Sequence, residues 1–181
     1  MILILCYTGV RVSELLDLKK QNVNLDEHYF TITKSKTQSG IRKVPIGTMI
    51  YPFFKAWYES SQCDYVFHTP EQKHFTYRNY YDSYWNPFIV RFEYDQTPHC
   101  CRHTCVSLLA TAHVSQIYQK LIVGHKGVNT HRTVLYNFPF HLLVECSSPN
   151  PLRTQNFILW LHVLRTLLTR TSLPLAVVFF F

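Results

Sequence analysis

Glycine, methionine and acidic side chains are scarce in this chain. Five glycines and two methionines among 181 residues leave no room for a glycine-rich linker or a collagen-like repeat. Eleven acidic residues face 18 basic ones, a formal net charge of +7. That balance excludes an acidic, self-solvating coil and favours a polyanionic partner. Charged residues make up only 16% and hydrophobic ones 47%, which is the composition of a chain with a core. Also missing is an uninterrupted apolar run of about 20 residues, the length a membrane helix needs. The most apolar stretch, Phe157 to Phe181, is broken by His162, Arg165, Arg170 and Pro174. The opening MILILCYTG lacks the basic flank and cleavage site of a signal peptide. A cytoplasmic setting is therefore expected, with Cys6, Cys63, Cys100, Cys101, Cys105 and Cys146 as free thiols. The length suits one domain.

Periodicity organises the first 125 residues. Residues 2–7 (ILILCY) form an apolar run stopped by Thr8-Gly9, and Val12, Leu15, Leu16 and Leu18 resume at helical spacing, with Ser13 and Glu14 opening that helix. Tyr29 to Thr33, then Ile41, Val44 and Ile46 beyond a polar link at 35–40, predict a β-hairpin. Helices are expected at 52–60, at 76–92 with an interruption at Pro87, at 99–112 and at 115–123, and an extended piece at 65–68. Tyr77, Tyr80, Tyr81, Tyr84 and Trp85 recur at spacings of three and four, a core-facing stripe rather than a base-stacking platform. The fold class is α+β, mainly helical, with a small antiparallel β-sheet.

Four basic islands carry the chemistry: Arg11 in TGVRVSELLDL, Lys36 in ITKSKTQSGIRKVPI, His99 and Arg102 in TPHCCRHT, and His125 in LIVGHKG, followed by Tyr136. Together, and in this order, they resemble the catalytic domain of the tyrosine recombinases, the phage integrase family. The resemblance covers about residues 1–129. It implies that Arg11 is the first catalytic arginine with Glu14 its supporting acid. Lys36 matches the hairpin lysine, with Lys34 in reserve. Further on, His99 and Arg102 match the His-x-x-Arg box with His103 behind it, and His125 matches the following box. Cys100 stands where the family commonly has an acid.

The implied activity is site-specific DNA recombination or integration through a 3′-phosphotyrosine. Metal-free cleavage of a phosphodiester requires a nucleophile, positive charge on the phosphate and a proton for the departing oxygen. Two guanidinium forks, Arg11 and Arg102, suit the phosphate because they stay charged and bind its oxygens in pairs. Lys36 would protonate the leaving oxygen, His99 would take the proton of Tyr136, and His125 would donate to a phosphate oxygen. No metal or other cofactor is implied. A zinc reading of His99, Cys101, His103 and Cys105 is disfavoured because all four lie within seven residues of one predicted helix rather than in two separated pairs. Lys43, His103 and Lys126 are candidate contacts to double-stranded DNA, and intact relatives act as tetramers on it.

Family members carry an N-terminal clamp domain ahead of these boxes, and the expectation here is a partial catalytic domain over residues 1–136 followed by an aberrant tail, 137–181. Composition breaks near residue 130: all nine Lys, all five Gly and ten of the eleven acids precede it. Two readings of the tail stand. In one it is a frame-shifted translation; reading one nucleotide along can give Tyr-Thr across Leu135 and Tyr136. In the other the tail is divergent and Tyr136 is the nucleophile. The rival to an enzyme is a non-catalytic DNA-binding remnant of a decayed mobile element.

Overall fold

The computed structural model describes residues 1–35 and 40–125. Lys36, Lys126, Tyr136 and the whole tail lie outside them. The apolar opening forms helix α1 (Ile2–Thr8), in which Ile4 and Leu5 are fully buried. Thr8 Oγ1 donates to the Ile4 carbonyl, and Gly9 then ends the helix in the left-handed region at φ 61°, a conformation that costs a glycine nothing. Helix α2 (Val12–Leu16) starts one step earlier than Ser13 and Glu14 suggested. Arg11 is its N-cap, and Glu14, three residues on, reaches back to accept the Arg11 backbone N–H at 3.0 Å.

After a 3-10 turn at Lys20–Asn22 come β1 (Val23–Asn24), β2 (Tyr29–Ile32) and β3 (Arg42–Pro45), an antiparallel sheet in the order β1-β2-β3. The expected hairpin is β2 with β3. Strand β1 was not expected, because two residues carry no readable period; Val23 is recruited by pairing with Phe30. In the hairpin Phe30 pairs with Val44 and Ile32 with Arg42. Alternation turns Phe30, Ile32 and Val44 into the core, and it turns Arg42 inward with them. Ile41, grouped by its chemistry with Val44 and Ile46, is consequently the outward residue, 47% exposed.

Helix α3 (Tyr51–Ser60) takes Pro52 in its first turn and buries Phe54 and Trp57. Helix α4 (Tyr77–Tyr80) is capped by Thr76, whose hydroxyl accepts the Asn79 N–H at 3.1 Å. It continues through a π-turn at Tyr81–Trp85 into α5 (Asn86–Arg91). The expected interruption at Pro87 does not occur. The backbone widens just before it, with Asn86 N–H reaching the Tyr81 carbonyl five residues back, which makes room for the proline ring within the helix. Of the aromatic stripe, Tyr80 and Trp85 are buried, Tyr81 and Tyr84 are half-buried, and Tyr77 is exposed.

Helices α6 (Cys100–Thr111) and α7 (Gln116–Val123) complete the described chain. Helix α1 packs on α6. The main core gathers Leu5, Leu15, Leu16, Phe30, Phe54 and Phe67, each buried side chain stabilising the fold by about 1.5–3 kcal/mol before entropy is counted. Cys105, Leu109, Ile122 and Val123 form a smaller cluster that fixes α7 to α6. No helix among the described residues is long and apolar enough to cross a membrane.

Candidate active site

The site is assembled where three helix ends meet: the turn from α1 into α2, the start of α6 and the end of α7. Gly9 is the meeting point. A Cβ there would lie 2.9 Å from Cys105 Sγ on α6 and 2.9 Å from Val123 Cγ1 on α7, so only glycine allows this approach, and its positive φ demands glycine again. Its carbonyl accepts a 2.7 Å hydrogen bond from Arg102 Nη1. That bond brings the α6 arginine beside Arg11, two residues beyond Gly9.

Arg102 is 4% exposed, and its Nη2 has no hydrogen-bond partner among the described residues. Buried polar groups are almost always paired, and an orphaned one costs about 1–3 kcal/mol. Burial, together with repulsion from Arg11 and Arg42, lowers the guanidinium to about 10, so it remains charged at neutral pH. A cation kept in this state is stabilised by an anion that supplies what Nη2 lacks.

Glu14 balances part of this charge. It is buried and takes four hydrogen bonds: from the Arg11 N–H at 3.0 Å, Arg11 Nη1 at 2.6 Å, Arg42 Nη2 at 3.1 Å and Ser35 Oγ at 3.1 Å. Burial works against its ionisation, but Arg42 and Arg11 outweigh that and hold the carboxyl below its ordinary range. Arg11 is thereby oriented yet keeps 34% of its side chain exposed, available to a ligand.

His99, the N-cap of α6, and His125, directly after the left-handed Gly124 that ends α7, are both exposed. Loss of water on the protein side, then the neighbouring cations, push both imidazoles below 6.5. His103, Arg102 and Arg11 act on His99, and Arg102, Arg11, His103 and Lys120 act on His125. Both rings are therefore neutral at pH 7, able to accept a proton or to donate an uncharged N–H.

Of the residues expected at the site, Arg11, His99, Arg102 and His125 thus share one electrostatic neighbourhood. His103 is exposed one turn along α6, its ring edge-on to His99 at 5.0 Å. Lys43 lies apart from them on the outward face of β3, its Nζ 4.1 Å over the Tyr29 ring. Lys34 is exposed at the end of the hairpin strand. Lys36, Lys126 and Tyr136 fall outside the described residues. Cys101 and Cys105 are buried against α1 while His99 and His103 point to solvent, so the four do not converge, and no metal-holding cluster occurs among the described residues. Arg42 was missed. The signal was present: alternation from Val44 and Ile46 assigns position 42 to the inner face.

The Phage integrase family matches this chain over residues 1–138. Among solved structures, the integrase of transposon Tn1549 in complex with circular-intermediate DNA aligns at 21% identity and a TM-score of 0.62, over 70% of this chain and 49% of that one. The integrase from mycobacterium phage Brujita aligns at 19% and 0.61, over 80% and 48%. XerA recombinase aligns at 20% and 0.56, over 94% and 55%. At these identities the likeness is one of fold, and the chain spans about half the length of each. No curated protein matches it.

Proposed function

The chain belongs to the phage integrase family, and from that membership we propose that it is the strand-cleaving and rejoining part of a site-specific DNA recombinase, acting through a 3′-phosphotyrosine. The observation that carries this reading is the buried Arg102, whose Nη2 has no partner among the described residues, in the electrostatic neighbourhood of Arg11 and of two histidines whose protonation these cations disfavour. Such a cluster suits a phosphodiester, a monoanion whose charge grows on the way to the pentacoordinate transition state.

In the proposed reaction Arg11 and Arg102 hold the non-bridging oxygens. The hydroxyl of Tyr136 attacks phosphorus and gives its proton to His99. The bond to the 5′ oxygen breaks, and Lys36 delivers a proton to that oxygen. His125 donates to a non-bridging oxygen throughout. The phosphotyrosine conserves the bond energy, so attack by a 5′ hydroxyl reverses the steps and rejoins the strand without ATP. These groups supply every proton and charge the displacement needs, so no cofactor is invoked. The family match runs past Tyr136 to residue 138, which supports that tyrosine as the nucleophile, with 1–136 as the catalytic unit and 137–181 as the aberrant tail. Lys43, His103 and Lys126 would add phosphate contacts whose affinity falls steeply with salt. The Tn1549 integrase was solved with DNA, which supports double-stranded DNA as partner. A homotetramer on DNA, in the cytoplasm, completes the proposal.

The test is a covalent trap. Nicked duplexes labelled at the scissile phosphate release a short strand on cleavage, and the chain should then carry label through denaturing electrophoresis, while Tyr136→Phe should not. Salt-sensitive DNA binding without an adduct would instead establish the second reading, a non-catalytic remnant of a mobile element, which the composition break near residue 130 favours. Reading the coding DNA separates the two tails. An open shifted frame with Tyr at 135 indicates a frameshift, and early stop codons there leave Tyr136 as the nucleophile.

A further inference from the structure

Three cysteines meet where α1 packs on α6. Cys6 on α1 and Cys101 on α6 are 7% and 2% exposed and belong to one core cluster, against which the half-buried Cys100 packs. All three are free thiols. The Cys101 thiol stands in the middle, hydrogen-bonded to Cys100 on one side and to Cys6 on the other.

The three are not equivalent. Cys100 is the first residue of α6, where open N–H groups and the helix dipole favour an anion. A hydrogen bond from the Cys101 thiol brings the Cys100 thiol below its ordinary value; burial opposes this, and the backbone N–H groups of Cys101 and Cys100 add to it. Cys101 moves the opposite way, far above its ordinary value, through its bonds with Cys100 and Cys6 and through burial. A partly exposed thiol inclined to ionise thus has a protonated thiol in reach, which is the arrangement of redox-sensing cysteines.

Tyr80 adds an independent observation. Its side chain is 2% exposed, and its hydroxyl has no hydrogen-bond partner among the described residues. Burial, then the neighbouring Cys101, Cys6, Tyr77 and Cys100, keep it un-ionised, a donor without an acceptor. Sulfur accepts weakly, whereas an oxygen carried on one of these sulfurs would accept well.

We propose that Cys100, Cys101 and Cys6 form a peroxide-reactive thiol relay that ends in a Cys6–Cys101 disulfide between α1 and α6. The Cys100 thiolate attacks one oxygen of hydrogen peroxide and the O–O bond breaks. Cys100 becomes a sulfenic acid, and the other oxygen leaves as hydroxide and takes up a proton. Tyr80 donates to the sulfenic oxygen. The Cys101 sulfur gives up its proton, displaces that oxygen as water and bonds to Cys100. Neighbouring residues hold such a bond under strain, because their Cα atoms are about 3.8 Å apart where a disulfide usually spans about 4.4–6.8 Å. A strained disulfide exchanges readily. Cys6 attacks the Cys101 sulfur, Cys100 leaves as a thiol, and Cys6–Cys101 remains. Two thiols have lost two hydrogens, and the peroxide has become two waters. None of these steps uses DNA or the charged site, although the bond fastens to α1 the turn of α6 that carries Arg102.

The test exposes the reduced full chain to a few equivalents of hydrogen peroxide, counts free thiols in denaturant, and maps the alkylated protein after trypsin. Two of the six thiols should disappear and return with a thiol reductant. Peptide 1–11, which holds Cys6, should be joined to peptide 92–102 through Cys101, while Cys105 sits on a separate peptide, 103–120. No thiol loss, first loss at Cys63, Cys105 or Cys146, or a bond between two chains overturns the proposal. Cys100→Ser should slow thiol loss at least about tenfold, since the remaining thiols of the relay are buried and protonated. Cys6→Ser should react as fast as wild type but stop at a bond within peptide 92–102. An undiminished rate in Cys100→Ser overturns the relay. The wild-type peptide map needs no substitution, so it decides even where a variant does not fold.

Discussion

Replacing Arg102 with methionine is expected to make the protein more stable and to abolish its affinity for phosphate. The guanidinium is lowered from 12.5 to about 10 by burial and by Arg11 and Arg42. At about 1.36 kcal/mol per unit, that corresponds to roughly 3 kcal/mol acting against the charged form in the folded state. Methionine keeps the aliphatic stem and has no donor to leave unpaired. Against this stands the lost bond to the Gly9 carbonyl, about 0.5–1.5 kcal/mol. The difference is a net gain of about 1.5–2.5 kcal/mol, which for a chain of this size is a Tm rise of about 3–10 °C. Scanning calorimetry in phosphate-free buffer measures it. Inorganic phosphate should then reverse the order: at a hundredfold excess over its Kd it adds about 2.7 kcal/mol to wild type, and it should add nothing to Arg102→Met. Two results would refute the reasoning. One is a variant less stable than wild type in phosphate-free buffer, which would mean that Arg102 is held by its structural bond. The other is an equal phosphate shift in both proteins, which would place the anion elsewhere.

Glu14→Gln should cost about 3–5 kcal/mol in urea unfolding, because it leaves Arg42 buried without a counter-charge; a loss below 1 kcal/mol would show that the pair does not hold the hairpin. Gly9→Ala should cost about 2–5 kcal/mol, combining left-handed strain with the 2.9 Å approach to α6 and α7, and a Tm near that of wild type would contradict the packing described. Acidification should destabilise the fold. His99 and His125 have folded-state values below 6.5, so the unfolded chain binds more protons, and their contribution is present above pH 6.5 and lost as pH falls through those folded values. In a pH series of thermal melts, His99→Gln with His125→Gln should flatten the slope between pH 7 and 5; an unchanged slope would remove them as its source.

Much of this protein was legible in the sequence because its signals are local. The apolar period of α1, the glycine that ends it, the hairpin and the helices from 99 to 123 each depend on residues within a few positions of one another. The family boxes are short runs of the same kind. Where local reading failed, a neighbour distant in sequence decided. Strand β1 exists because Val23 finds Phe30, and Ile41 faces outward because the hairpin register fixes which side of the pleat is the core. Pro87 is carried inside a helix because the preceding turn widens rather than breaks. The site divides the same way. Arg11, His99, Arg102 and His125 could be named from their boxes, but their chemistry could not. Whether a guanidinium is satisfied or left with an open donor depends on partners 93 residues away for Arg102 and 80 for Arg42. Sequence alone determined which cations the protein carries. Only the tertiary structure, by burying Arg42 with Glu14 and leaving Arg102 short of one partner, decided which of them holds the site together and which is left open to an anion.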